Sequence, residues 1–110
     1  MIKAGGMWVS PAEVEGALAE HPAVVEAGVV GAAGEDELVK PVAFVVLARG
    51  HAPGPALEAE LRGFVKQRLA HYKYPRWIRF VEELPKTATG KIQRYKLREM
   101  ARPTDRTGKG

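Results

Sequence analysis

The chain contains no cysteine, which removes disulfide scaffolds, thiolate-ligated zinc and cysteine nucleophiles together. Aromatic residues make up only 7% of its 110 positions, and they form no evident platform on which nucleic-acid bases would stack. Long hydrophobic runs are also missing. The longest, Val42 to Ala48, is far shorter than the ~18–20 residues that cross a bilayer. Gly5 and Gly6 interrupt Met1–Val9, so no secretory signal is expected there. The three histidines, His21, His51 and His71, stand far apart, without a metal-ligand spacing or an evident acid–base partner. The expectation is a cytoplasmic protein with no bound metal and no membrane partner.

What is present is ordinary for a globular domain: 45% hydrophobic and 27% charged residues, at a length of one domain. The net charge of +4 hides a split. Residues 1–65 carry four basic against nine acidic side chains, and residues 66–110 carry thirteen against four. Such asymmetry points to an anionic partner for the second half. A nucleic acid, a phosphorylated small molecule and an acidic protein surface all satisfy it, as does a solvated basic face.

Local patterns predict the elements. Met1–Val9 reads as a short hairpin turning at Gly5-Gly6. Ser10-Pro11-Ala12-Glu13 opens a helix, with Ser10 as cap, Pro11 in the first turn and Glu13 completing a capping box. Val14, Ala17 and Leu18 form its apolar stripe, and His21-Pro22 stops it. Val24–Val30 and Val42–Leu47 read as antiparallel strands. Between them Gly31–Pro41 forms a connection whose acidic Gly34-Glu35-Asp36-Glu37 suits a solvated turn. Leu57, Leu61, Phe64, Val65 and Leu69 recur at helical spacing over residues 56–71. Trp77–Val81 is a third strand, made parallel to the second by the helical crossover. A short basic helix runs from Arg94 to Ala101. The expected fold is α+β: a small three-stranded mixed sheet flanked by helices, with an N-terminal β-hairpin. Residues 102–110 read as a disordered tail.

Two stretches carry glycine or lysine beyond what folding requires. In Lys3-Ala4-Gly5-Gly6-Met7-Trp8-Val9, paired glycines either make a plain turn or let the backbone approach a ligand closely. In Leu84-Pro85-Lys86-Thr87-Ala88-Thr89-Gly90-Lys91-Ile92-Gln93-Arg94, a Thr/Gly loop presents one lysine. This is not a Walker A loop, because the first glycine is missing and Ile92 stands where Ser or Thr would hold magnesium. The loop reads as mobile, able to swing Lys91 toward a polyanion. A solvated surface lysine is the plain alternative.

Each stretch resembles a motif of the adenylate-forming enzymes, which include the acyl- and aryl-CoA synthetases, luciferase and the adenylation domains of peptide synthetases. The pattern Pro-x-x-x-x-Gly-Lys-x-x-Arg is matched by Pro85, Gly90, Lys91 and Arg94. The hinge-following pattern Lys-x-x-Gly-x-x-Val-x-x-x-Glu-Val-Glu is matched by Lys3, Gly6, Val9, Glu13, Val14 and Glu15. The resemblance covers residues 1–101, which would be the small, mobile C-terminal domain of such an enzyme. Gly6-Met7-Trp8-Val9-Ser10-Pro11 and Tyr72-Lys73-Tyr74-Pro75-Arg76-Trp77-Ile78 are most similar to the benzoate- and other aryl-CoA ligases.

The resemblance implies two half-reactions: ATP and a carboxylic acid give an acyl-adenylate, and coenzyme A then displaces AMP to give a thioester. Lys91 would be the catalytic lysine of the first, with Gly90 beside it and Arg94 supporting the loop or adding positive potential. Gly5 and Gly6, with Met7 and Trp8 beside them, would line the pantetheine channel of the second. Lys73 and Arg76 would meet the CoA nucleotide, although a basic helix end explains them equally. Mg²⁺ would arrive with ATP and bind outside this domain. A large N-terminal domain would supply the phosphate loop and acid pocket, leaving these residues inactive alone. In several related synthetases the lysine matching Lys91 is reversibly acetylated, which implies a lysine acetyltransferase as a further partner. The rival readings are an adenylation domain serving a carrier protein, a small basic nucleic-acid-binding module and a plain interaction domain.

Overall fold

The structure, a computed structural model, describes residues 2–4, 7–33, 39–69 and 73–101. β1 (Ile2–Ala4) pairs antiparallel with β2 (Met7–Val9), Ile2 opposite Val9 and Ala4 opposite Met7. This is the expected hairpin, although its Gly5-Gly6 turn lies outside the described residues. Then follow α1 (Pro11–Ala19), β3 (Val24–Ala33), β4 (Val39–Leu47), α2 (Pro55–Arg68), β5 (Trp77–Phe80) and α3 (Arg94–Met100). The main sheet has the order β3-β4-β5, antiparallel between the first pair and parallel between the second. The open mixed sheet and its flanking helices match the expected α+β class.

Alternation along the strands assigns two cores. Ala27, Val29, Ala43, Val45 and Ile78 join Val14, Ala17 and Leu18 of α1 and Leu61 and Val65 of α2 in one cluster. Their neighbours Val30, Val42 and Phe44 join Leu84, Leu97 and Ala101 in another. Because side chains alternate between faces, the sheet is covered by α1 and α2 on one side and by α3 on the other. That is why Val42–Val45 reads as an unbroken apolar run.

Several boundaries differ from expectation. The paired strands continue through Gly31↔Pro41 to Ala33↔Val39, so the connection between them is shorter than Gly31–Pro41. Gly31 and Pro41 read as breakers in the sequence, yet Pro41 remains in the ladder and its carbonyl accepts from Arg76 N–H at 2.8 Å. The second helix ends at Arg68 rather than residue 71, because Leu69 is already extended (φ −125°, ψ 169°). The third strand stops at Phe80. At α1, Ser10 Oγ accepts from Glu13 N–H at 3.4 Å as a cap. The Glu13 side chain turns instead to Lys73, its Oε1 accepting from Lys73 Nζ at 2.9 Å.

Candidate functional site

The stretch expected to be a mobile loop is an ordered hairpin. Lys86 pairs with Ile92 as an antiparallel bridge, and Thr87 N–H donates to Lys91 O at 2.8 Å. Gly90 N–H closes the four-residue turn onto Thr87 O at 2.9 Å. Lys91 N–H donates to Thr87 Oγ1 at 3.1 Å, and Gln93 N–H returns to Pro85 O at 2.9 Å. Outside the turn, Lys86 Nζ meets Glu26 Oε1 at 2.6 Å, while buried Leu84 and partly buried Ile92 pack into the core beneath α3. By local propensity threonine and glycine read as loop formers, which hides this order in the sequence. Thr87 instead uses its hydroxyl to satisfy the turn's own backbone.

Gly90 adopts φ +90°, a conformation that side chains with a Cβ strongly disfavour. Gly90→Ala is therefore expected to destabilise the turn by about 1–3 kcal/mol. Faster hydrogen exchange at the Lys91 amide would show it; unchanged exchange would show that the positive φ is not required.

Lys91 itself is exposed. Among the described residues no carboxylate pairs with its ammonium, whereas Lys86 and Arg94 on the same segment are both paired. Arg94 begins α3 and reaches back to α1 and the edge strand β3. Its Nη1 donates to Glu15 Oε2 and to Val29 O, the latter at 3.0 Å, and its Nη2 donates to Glu15 Oε1 at 3.1 Å. Val29 N–H in turn donates to Glu15 Oε2 at 2.7 Å. Arg94 is held above its ordinary pKa by the hydrogen bonds it donates to Glu15; partial burial opposes the shift and the Glu15 charge adds to it. Like any guanidinium, it keeps its positive charge at physiological pH.

Lys73 is drawn to the other side of α1. Successive helical residues turn by about 100°, so Glu13 and Glu15 point well apart around the axis. Glu13 holds Lys73, and Glu15 holds Arg94. One short helix thus brackets both motif-bearing regions from different sides. Arg76 is exposed and enters the structure through its backbone bond to Pro41. Met7 and Trp8 lie on β2 opposite Ala4 and Lys3. Gly5 and Gly6 fall outside the described residues.

One polar pair escaped the sequence reading, which gave His21 no partner. His21 is buried at 7% exposure. Its Nδ1 accepts from Ala23 N–H at 3.0 Å, which leaves the proton on Nε2, facing Glu60 Oε2 at 2.7 Å. Its ring and that of Phe64 meet edge to face, their centroids 4.9 Å apart. The pair ties the end of α1 to α2, on the sheet face away from α3, and belongs to the packing rather than to the Lys91 site. Among the described residues, no group of histidine or carboxylate side chains could hold a metal ion, and no helix is long and apolar enough to cross a membrane.

With the lysine turn and its anchor established, comparison with known proteins gives the class. The chain belongs to the AMP-binding enzyme C-terminal domain family, which it matches over residues 13–91. Within that class it is similar to aryl-CoA ligases. It is 61% identical over 98 residues to a benzoate–CoA ligase of Thauera aromatica, covering 89% of this chain and 19% of that protein. It is 52% identical over 101 residues to a 4-hydroxybenzoate–CoA/benzoate–CoA ligase of Rhodopseudomonas palustris, covering 91% of this chain and 19% of that one. A benzoate CoA ligase from Burkholderia xenovorans superposes with a TM-score of 0.78 at 62% identity, over 83% of this chain and 18% of that one. The anthranilate CoA ligase AuaEII, solved with anthranoyl-AMP, superposes with a TM-score of 0.88 at 50% identity, over 96% of this chain and 20% of that one. The chain thus spans about a fifth of the length of these relatives.

Proposed function

We propose that this chain is the mobile C-terminal domain of an ATP-dependent, AMP-forming CoA ligase for an aryl acid of the benzoate type, with Lys91 as its catalytic lysine. The observation that carries the reading is the Lys91 ammonium, exposed, without a carboxylate partner among the described residues, and directly after an ordered turn. Attack of a carboxylate on the α-phosphate of ATP brings two anions together. An ammonium placed between them stabilises the charge that develops in the transition state. A lysine neutralised by its own domain could not do this.

The turn around Lys91 is tied down, so the lysine is delivered by rotation of the whole domain rather than by flexing of the loop. In the second half-reaction Gly5 and Gly6, beside Met7 and Trp8, would line the channel for the slim pantetheine arm. Lys73 and Arg76 would offer charge to the CoA phosphates, Lys73 exchanging Glu13 for phosphate as it does so. ATP, its Mg²⁺ and the acid would sit in a large N-terminal domain, and residues 1–101 would be inactive without it. Acetylation of Lys91 by a lysine acetyltransferase would remove the charge on which the first step depends. All of this chemistry is expected in the cytoplasm. It explains the basic second half without a nucleic acid.

The test is to fuse the full chain to the large N-terminal domain of the Thauera aromatica ligase, in place of that enzyme's matching residues. The fusion is expected to convert benzoate, ATP and CoA to benzoyl-CoA, AMP and pyrophosphate, with the chain alone inert. Product with a phosphopantetheinylated carrier protein but not with free CoA would select the carrier-protein reading instead. A folded fusion that makes no thioester with either would overturn the assignment.

A further inference from the structure

The geometry points to Arg94 as a positioning residue for Lys91, acting through its forked pair with Glu15 and not through substrate. This rests on the catalytic reading of Lys91 given above. α3 has only seven residues, and its N-cap, Gln93, makes no side-chain capping bond. The helix therefore has little of its own to fix where its first turn lies. Arg94, three residues beyond Lys91, supplies that fixation from outside. Both Glu15 oxygens and the Val29 carbonyl accept from its guanidinium, and Val29 N–H donates to the same carboxylate. The result is a closed ring of bonds joining α1, β3 and the start of α3.

Only Ile92 and Gln93 separate Arg94 from the lysine, and both are tied to the opposite limb of the hairpin, at Lys86 and Pro85. No slack remains between the guanidinium ring of bonds and the Lys91 backbone. Among the described residues no carboxylate steers the ammonium, so its direction relative to α1 is inherited from Arg94. The fork matters as much as the charge. A lysine at this position presents one point charge and cannot hold both carboxylate oxygens and a carbonyl in a plane.

The test uses the fusion described above, carrying Arg94→Met, Arg94→Lys and Lys91→Ala alone and Arg94→Met combined with Lys91→Ala. Adenylation is followed by benzoate-dependent ATP–pyrophosphate exchange. Misplacing a reacting group by about 1 Å costs on the order of 10²-fold. Arg94→Met is therefore expected to slow adenylation ~10–100-fold at saturating substrates, with KM values within about threefold. Arg94→Lys falls between it and the parent. The decisive readout is the combination. Once Lys91 is gone, nothing is left to position, so the double variant should be no slower than Lys91→Ala alone by more than about threefold. Arg94→Met without effect, or with an effect that multiplies onto that of Lys91→Ala, overturns the positioning role. Lys91→Ala without effect overturns the catalytic reading instead, so the two failures are distinct. If Arg94→Met does not fold, Glu15→Gln loosens the same ring and must give the same non-additive pattern.

Discussion

Replacing Lys91 by alanine in the fused enzyme is expected to slow benzoyl-adenylate formation by ~10²–10³-fold, while thioester formation from supplied benzoyl-adenylate stays within about threefold of the parent. The magnitude follows from where the charge acts. A charge-assisted hydrogen bond contributes on the order of 1.5–3 kcal/mol net, and more when it is aimed at charge that exists only in the transition state of a drier site. No neighbouring cation on the segment is free to substitute. Lys86 is paired with Glu26, and Arg94 is committed to Glu15 and Val29. The asymmetry between half-reactions follows from the second step, in which the thiol attacks an adenylate already formed and the phosphate repulsion is gone. Separate assays of pyrophosphate exchange and of benzoyl-CoA from synthetic adenylate measure the two directly. Equal losses in both would mean that the alanine variant damages the domain. No loss in either would remove Lys91 from the chemistry.

The residues of this site were legible in the sequence where their reason is local. Gly90 and Lys91 come into view through the resemblance of Pro85, Gly90, Lys91 and Arg94 to a family motif, and the positive φ of Gly90 supplies a local reason for the glycine. The third strand's direction was legible too, because a helical crossover between β4 and β5 permits a parallel pairing. What stayed hidden is what the fold brings together from afar. Glu15 and Arg94 lie 79 residues apart, Glu13 and Lys73 60, and His21 and Glu60 39. Glu13 reads locally as a capping residue and Glu15 only as a motif position, since each finds its cation only after the chain has closed. The extended strand ends were hidden for a different reason. Gly31 and Pro41 are breakers by local propensity, and only cross-strand pairing keeps them in the ladder. The hairpin around Lys91 combined both difficulties, its threonine satisfying backbone locally while Leu84 and Ile92 anchor it in a distant core.

That core also sets how firmly α3, and Arg94 with it, stays on the sheet, and Leu97→Ala is expected to destabilise the chain by about 2–5 kcal/mol. A helix this short does not persist by itself in water, so its place depends on what it buries. Leu97 is its one fully buried residue, packed with Val30, Val42, Phe44, Leu84 and Ala101. It also approaches β3 unusually closely. A methyl group added at Gly28 would stand 2.8 Å from Leu97 Cδ1, inside any normal contact distance. Gly28→Ala alone should therefore cost about 1–3 kcal/mol through overpacking. In the Leu97→Ala background the same methyl enters vacated space, so its cost should vanish or change sign. Urea unfolding of the four variants provides the cycle, with an unchanged m-value showing that the comparison concerns the native state. Additive losses would mean that Leu97 and Gly28 do not meet in solution. α3 would then be held by Arg94 and Glu15 more than by its apolar face, and the lysine turn would rest on an electrostatic anchor with little packing beneath it.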